Sequence, residues 1–474
     1  MKKHLLILIF FSTVLIFSTN ICFAQWEENL MLTNNPGSSA TTMNNAGCIA
    51  ADGEFLHIVW TDNRSGDAAI YYKRSIDQGE TWGTDTRLSD LGSTSANPAI
   101  AVSGSVIHVV WNDDRDGNLE IYYKRSTNGG LTWSADTRLT NDPDVSQHPS
   151  LSVSGSNVHV VWNDDRTLNG QIFYKHSSDA GVSWDSDKQL ESDENNSKIT
   201  SVASAGSDVH VVWYSMDKIS GWENLFYTHS TDNGLSWNTP EQLTNDLTCV
   251  YPSIAVSGST VHLVWFDGRD GGGSTEIYYK QSSDGGSSWG PDTRLTNNTG
   301  YSSYPFVTAS GTNVHLVWQD NPDSKINIYY RQSVDNGLNW DPEMELSNAT
   351  YAYYGSVAVS ASALNVVWTE RSFGNDDILY KRNLAVNPVG LNEFAKSGNK
   401  LNVYPNPFLN EITAITNDNL PGEIIIYDIS SRKVIQKEFV NTITLDASQL
   451  PKGIYFCEVR NSGGILQKSK LVKN

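Results

Sequence analysis

The sequence predicts an all-β protein: a seven-bladed β-propeller whose last blade is closed by an N-terminal strand, followed by a small Ig-like β-sandwich. Three observations predict it. An octapeptide ending in Trp recurs six times, with Trp82, Trp133, Trp184, Trp237, Trp289 and Trp340 spaced by 51 to 53 residues. A second motif, "VHVVW" and its variants, keeps the same beat seven times, at Trp60, Trp111, Trp162, Trp213, Trp265, Trp318 and Trp368. Each period holds four short runs rich in β-branched or aromatic residues; in the second period they read "PAIAVSG", "VIHVVWND", "LEIYYKRS" and "TRLTN". Four strands in a period of about fifty residues fit a propeller blade, and the parallel β-helix, the competing repeat fold, has a shorter period.

The elements follow in chain order. Residues 1–24 read as a secretory signal peptide: Lys2 and Lys3, an apolar run, then small residues up to Ala24. Residues 25–384 form the propeller. Its seventh period lacks the octapeptide and the strand after it, but "QWEENLMLTNN" at the mature N-terminus matches "WSADTRLTND" of the second period. That segment is expected to supply the outermost strand of the last blade and cover an otherwise open edge. Residues 385–400 are a linker by composition. Residues 401–474 alternate strand and turn signals, as in "GEIIIYDISSRKVI", and suggest the small sandwich.

Charge excludes one class of partner. The formal net charge is −20, with two lysines before residue 25 and ten Lys/Arg against eight Asp/Glu after residue 384, which leaves −24 on the propeller. Such a surface repels phosphates, so nucleic acid is not an expected partner. No stretch after the signal peptide is apolar enough to span a membrane. Cys48, Cys249 and Cys457 are too few and too scattered for a disulfide framework, and no Cys/His cluster suggests zinc.

The octapeptide reads "SSDGGSSW" from Ser282 to Trp289, with relatives at Ser75, Ser126, Ser177, Ser230 and Ser333. It lies between the third and fourth strand of a blade, so it is a hairpin turn. Asp77, Asn128, Asp179, Asp232, Asp284 and Asp335 can accept bonds from turn amides, the following Gly permits positive φ, and the Trp can pack under the turn. This pattern resembles the Asp-box, or BNR, repeat of sialidases, other glycoside hydrolases, lectins and receptors. The resemblance implies scaffolding on the face away from the active site. It also implies what a sialidase would need: a six-bladed fold, a Phe-Arg-Ile-Pro type motif and three arginines for the substrate carboxylate. The motif is absent here and the blade count is seven. The repeated His57, His108, His159, His210, His262 and His315, with Asn365 in the seventh period, sit one per blade and are expected to pack rather than share a metal.

Function is expected at the opposite, open face, where loops enter the first strand and join the second to the third. Fourteen residues before each "VHVVW" tryptophan stand Ala46, Asn97, His148, Ile199, Tyr251, Tyr304 and Tyr354. This position varies while its surroundings repeat. Three tyrosines on consecutive blades would form an aromatic wall suited to sugar; Tyr301, Tyr351 and Tyr353 lie in the same loops. The alternative is that the rings plug the channel. The loops between second and third strands offer Arg115, Arg166 and Arg269 beside Asp113, Asp164 and Asp267, either an acidic-sugar site or a set of loop fasteners. "NDDRDGN" looks like part of a calcium loop but lacks its twelfth-position Glu, so calcium is a minor candidate and no cofactor is expected.

In the C-terminal region "YPNP", "IYD", "LPKGIY" and the terminal "KLVK" resemble the sorting domain of the type IX secretion system of Bacteroidetes. The resemblance implies export, release or attachment at the outer cell surface, and handling by that secretion machinery. The expected function is non-catalytic recognition of an extracellular glycan or protein; the alternative is a sialidase-like exo-glycosidase.

Overall fold

The computed structural model describes residues 26–384, apart from 44–45, 168–169, 192–194, 246–247, 272 and 373, and, further on, residues 402–404, 410–415, 421–428, 432–440, 442–461 and 464–473. The signal peptide and the 385–400 linker lie outside the described residues. The chain divides into two compact units, Met1–Val389 and Gly390–Asn474.

The first unit is a seven-bladed propeller. Blade 2 is representative: Ser95–Ser103 innermost, then Val106–Asp113, Glu120–Ser126 and the short outer Thr137–Arg138, all antiparallel. Blade 1 divides its innermost strand into Ser39–Ala40 and Ile49–Asp52, both paired with Phe55–Ser65. Blade 7 comprises Ala352–Val359, Leu364–Ser372 and Asn375–Asn383, and Leu30–Met31 from the N-terminus adds its fourth strand in the register Leu30↔Tyr380. The expected closure is therefore present. Thr33 Oγ1 donates to Asp377, and Arg382 pairs with Glu27 at 2.5 Å, so side chains as well as backbone tie the two ends.

The blades hold together through the repeated aromatic residues. The seven "VHVVW" tryptophans are at most 1% exposed. The octapeptide tryptophans do more than pack beneath their own turns. Each meets a tyrosine of the preceding blade edge-on, as in Tyr72–Trp133 and Tyr227–Trp289, with centroids 4.8 and 4.9 Å apart. Trp82 closes the ring against Tyr380, and Trp26 takes the vacant seventh place against Tyr330. The same tyrosine hydroxyl occupies the space over the box glycine: a Cβ on Gly130 (φ +82) would lie 1.9 Å from Tyr72 Oη. Within its own blade that hydroxyl bonds a histidine Nδ1, at 2.7 to 2.8 Å in the six blades that carry one. In blade 7 Tyr380 donates to Asn365 instead. The histidines are thus parts of a blade-to-blade seam.

This seam is expected to make the fold acid-sensitive. Burial pushes His57, His108, His210, His262 and His315 down to about 4. An unfolded histidine titrates near 6.5, so the unfolded chain gains protons first as pH falls. The stability from neutral histidines is complete above about pH 6.5 and is lost down to about pH 4. The melting temperature is expected to fall steadily across that window. A flat profile would contradict the buried, neutral seam.

The second unit's regular elements among the described residues are all β-strands. One sheet runs Asn402–Tyr404, Glu411–Ile415, Thr442–Asp446; the other places Lys433–Val440, Pro421–Asp428, Gly453–Asn461 and Gly464–Lys473 side by side. Ile412, Ile424, Ile426, Leu445 and Tyr455 form its core.

Candidate functional site at the open face

In six of the seven blades the backbone departs from regular strand geometry at the same place. Asn97, His148, Ile199, Tyr251, Tyr304 and Tyr354 all take positive φ, between 40° and 57°. Around five of them the pairing register shifts by a bulge between residues such as Gln147 and Ser150, and in blade 4 it shifts between Lys198 and Thr200. Positive φ is costly for non-glycine residues, most of all for β-branched Ile199. A bulge re-aims the side chain it carries. Each of these six blades thus carries one re-aimed residue where its innermost strand begins. Ala46 and Ile199 are buried, whereas Asn97, His148, Tyr251, Tyr304 and Tyr354 are half-buried.

A second ring, which the sequence reading did not single out, lies against the first. It consists of the residue after each "VHVVW" tryptophan: Thr61, Asn112, Asn163, Tyr214, Phe266, Gln319 and Thr369. Variation beside an otherwise repeated Trp was the available signal. Together the rings divide into halves. Blades 4 to 7 are aromatic: Tyr251 stacks on Phe266 at 5.4 Å, meets Tyr304 edge-on at 4.6 Å and Tyr214 at 5.9 Å. Tyr304 meets Tyr354 at 5.0 Å, and Tyr354 meets Tyr353 at 4.9 Å. Blades 2 and 3 are polar: Asn97 Nδ2 donates to Asn112 Oδ1 at 3.0 Å, and His148 Nδ1 lies 3.1 Å from Asn163 Oδ1. Burial raises the Tyr251 phenol and pushes Tyr354 up to about 12, so both stay neutral donors. Burial lowers His148, which therefore favours the neutral ring.

The central cavity lies behind this face. Its volume is about 400 Å³, and Ile49, Ile100, Leu151, Ile254, Phe306 and Val357 are among the residues around it. The three tyrosines do not line it. Phe306 projects from blade 6 toward Gly47 of blade 1, where a Cβ would stand 3.5 Å from its ring.

Arg115, Arg166 and Arg269 each pair with carboxylates of the protein itself. Arg115 binds Asp113 at 2.6 Å, Asp136 at 2.7 Å and Asp90 at 2.9 Å, and its guanidinium lies over the Tyr122 ring. Arg166 is held by Asp164 and Asp187, and Arg269 by Asp267 and Asp292. The carboxylate at the centre of each set also accepts the tryptophan indole, as Asp113 does from Trp111. Burial opposes the Asp113 charge, but bonds from Arg115, Trp111 and Ser95 outweigh it and bring its carboxyl down to about 2. Each of the three arginines thus has at least two carboxylate partners within the protein. Among the described residues no three His, Cys, Asp or Glu converge as a metal site.

On the far face the boxes behave as turns. Asp284 accepts from Ser282 Oγ, Ser288 N and Ser288 Oγ at 2.6 to 2.9 Å, which brings its carboxyl down to about 2. Asn128 makes the equivalent bonds through its amide. Asp77, Asp179, Asp232 and Asp335 repeat the arrangement.

Comparison with known proteins agrees with this architecture. The BNR repeat-like domain family matches residues 13–263, and the secretion system C-terminal sorting domain family matches residues 402–474. No curated protein matches the sequence. Among solved structures, the polysaccharide lyase Uly1 aligns with a TM-score of 0.52 at 11% identity, over 76% of this chain and 100% of its own. Trypanosoma rangeli sialidase aligns with a TM-score of 0.46 at 11% identity, over 82% and 85% of the two chains. The GH93 α-L-arabinofuranosidase of Fusarium graminearum, in complex with arabinobiose, aligns at 0.45 and 13%, over 75% and 97%.

Proposed function

The chain belongs to the BNR repeat-like domain family, and from that premise we propose that its propeller is an extracellular glycan-binding module that recognises sugar at the open face without transforming it. It carries a secretion system C-terminal sorting domain, so the protein is secreted or attached to the outer cell surface. One observation carries the binding reading: Tyr251, Tyr304 and Tyr354 stand in ring contact on consecutive blades, each half-buried on a bulge with positive φ. Rigid phenols offer apolar faces to sugar C–H groups and a hydroxyl to their oxygens. Asn97, Asn112, His148 and Asn163 complement them with amide and imidazole groups across the mouth. The backbone strain is consistent with a preorganised site.

A second reading, glycoside cleavage, has a specific observation in its favour. Burial raises the carboxyls of Asp165 and Glu223, and both lie in the field of Lys198 beside the inner ring. Raised carboxyls near a mouth suit general acid catalysis. Sialic acid is the less suitable substrate, because Arg115, Arg166 and Arg269 already bind carboxylates of the protein itself. The deciding experiment screens the full chain on a glycan array and assays turnover of fluorogenic glycosides. Binding without turnover is the expected result; turnover would replace the binding reading with the enzymatic one.

A further inference from the structure

The open face carries a second tier of aromatic residues outside the inner ring. Tyr301 and Tyr351 stand three residues before Tyr304 and Tyr354 and are 54% and 44% exposed. In blade 5 the corresponding residue is Thr248, but Glu223 of blade 4 bridges Thr248 in parallel, which brings its neighbour Trp222, 41% exposed, beside that position. Three residues of extended chain span about 10 Å. Tyr301 and Tyr351 therefore stand within about two sugar rings' reach of Tyr304 and Tyr354 along the chain, and Trp222 adjoins the residue bridged to the matching position in blade 5. In blades 2 and 3 the same outer position carries Thr94 and Val145.

The outer residues are held rather than loose. Asp217 organises the loop that ends at Trp222: its N–H donates to Trp222 C=O at 2.9 Å, its C=O accepts from Gly221, and its carboxylate accepts the Ile219 and Ser220 amides. Tyr301 N–H donates to Asn321 Oδ1, and Tyr351 C=O accepts from Arg371 N–H at 2.9 Å. Exposed aromatic rings on ordered backbone lose little entropy on contact, which favours binding. Charge limits the occupant. Arg269 and Arg371 are bonded to Asp267 and Asp376, and the rim mixes Asp217 and Glu223 with the exposed Lys198, Lys218 and Lys325. The formal charge of −24 on the propeller as a whole repels a polyanion, whereas a neutral chain meets no such repulsion.

We propose that Trp222, Tyr301 and Tyr351 extend the inner tyrosines into a two-tier aromatic arc that binds an internal stretch of a neutral polysaccharide rather than a single terminal sugar. This rests on the glycan-binding reading and adds the ligand's length and charge. The test uses the full chain, in native gels containing laminarin, xylan or galactomannan, with alginate and polysialic acid as anionic controls. Calorimetry then compares the disaccharide and hexasaccharide of whichever neutral polymer retards the protein. The hexasaccharide is expected to bind roughly tenfold tighter or more, because each added stacking contact raises affinity without a second association cost. Trp222→Ala and Tyr351→Ala should each weaken the hexasaccharide by about fivefold and leave the disaccharide within about twofold, with Trp222→Phe close to wild type. Equal affinity for both lengths, or equal losses for both in Trp222→Ala, overturns the arc while leaving glycan binding intact. Retardation by alginate or polysialic acid alone overturns the neutral chain. Absence of binding to every polymer and on the glycan array removes the glycan-binding reading and the arc with it.

Discussion

Deletion of residues 25–35 is expected to lower the melting temperature of the propeller by roughly 5 °C or more and to make it aggregate, although the segment contributes only the two-residue strand Leu30–Met31. The loss is large because the segment closes a ring. Trp26 leaves Tyr330 without the edge-on contact that every other blade junction keeps. Trp26 is partly buried, so its loss costs less than the roughly 3–5 kcal/mol of a fully buried Trp, and the buried Leu32 adds to it. The deletion also removes the Thr33–Asp377 bond and exposes the backbone of Asn375–Asn383 as a free edge. Calorimetry and light scattering on the truncated protein check this. An unchanged melting temperature with no association would mean that blade 7 does not need its borrowed strand.

The double substitution Tyr304→Ala and Tyr354→Ala is expected to weaken glycan binding at least tenfold with the fold retained. The two rings meet edge-on in the wall and are half-buried, so the pair supplies both the platform and its rigidity. About 1 kcal/mol lost per aromatic contact compounds to a tenfold change or more across two rings. Both side chains sit at the mouth, outside the cavity lining and outside the repeated His–Tyr–Trp seam, so unfolding is not the expected outcome. Calorimetric titration and a thermal melt on the same samples separate the two effects. A double variant that binds normally but melts far lower would make these tyrosines a channel plug, and recognition would pass to protein partners at the rim.

Much of this was legible in the sequence because a repeat displays its own exceptions. The missing seventh box pointed to the N-terminus, and Trp26 does occupy the place of a box tryptophan there. The varying position fourteen residues before each repeated Trp turned out to be the bulged, positive-φ residue in six blades. The strain itself was not legible, since Asn97, Ile199 and Tyr304 share no preference for that conformation beyond the modest one of Asn. The box tryptophans were readable as turn packing but not as contacts between blades, because the spacing within one blade says nothing of how far its side chains reach into the next. The second ring escaped for a related reason. Tyr214 and Phe266 look like ordinary strand residues until the propeller brings seven such positions to one mouth. The Asp–Arg loops left two readings open, and only the distances around Arg115, Arg166 and Arg269 show that carboxylates of the protein itself occupy them.

The central claim is that ligand meets the open face while the boxes stand apart as scaffolding. Hydrogen exchange, read by mass spectrometry on the full chain with and without a saturating oligosaccharide from the array, tests it most directly. Protection is expected in peptides covering residues 248–255, 301–307 and 351–357, with the box turn at 282–289 unchanged. Protection at the box turns with an unaltered open face would contradict the account.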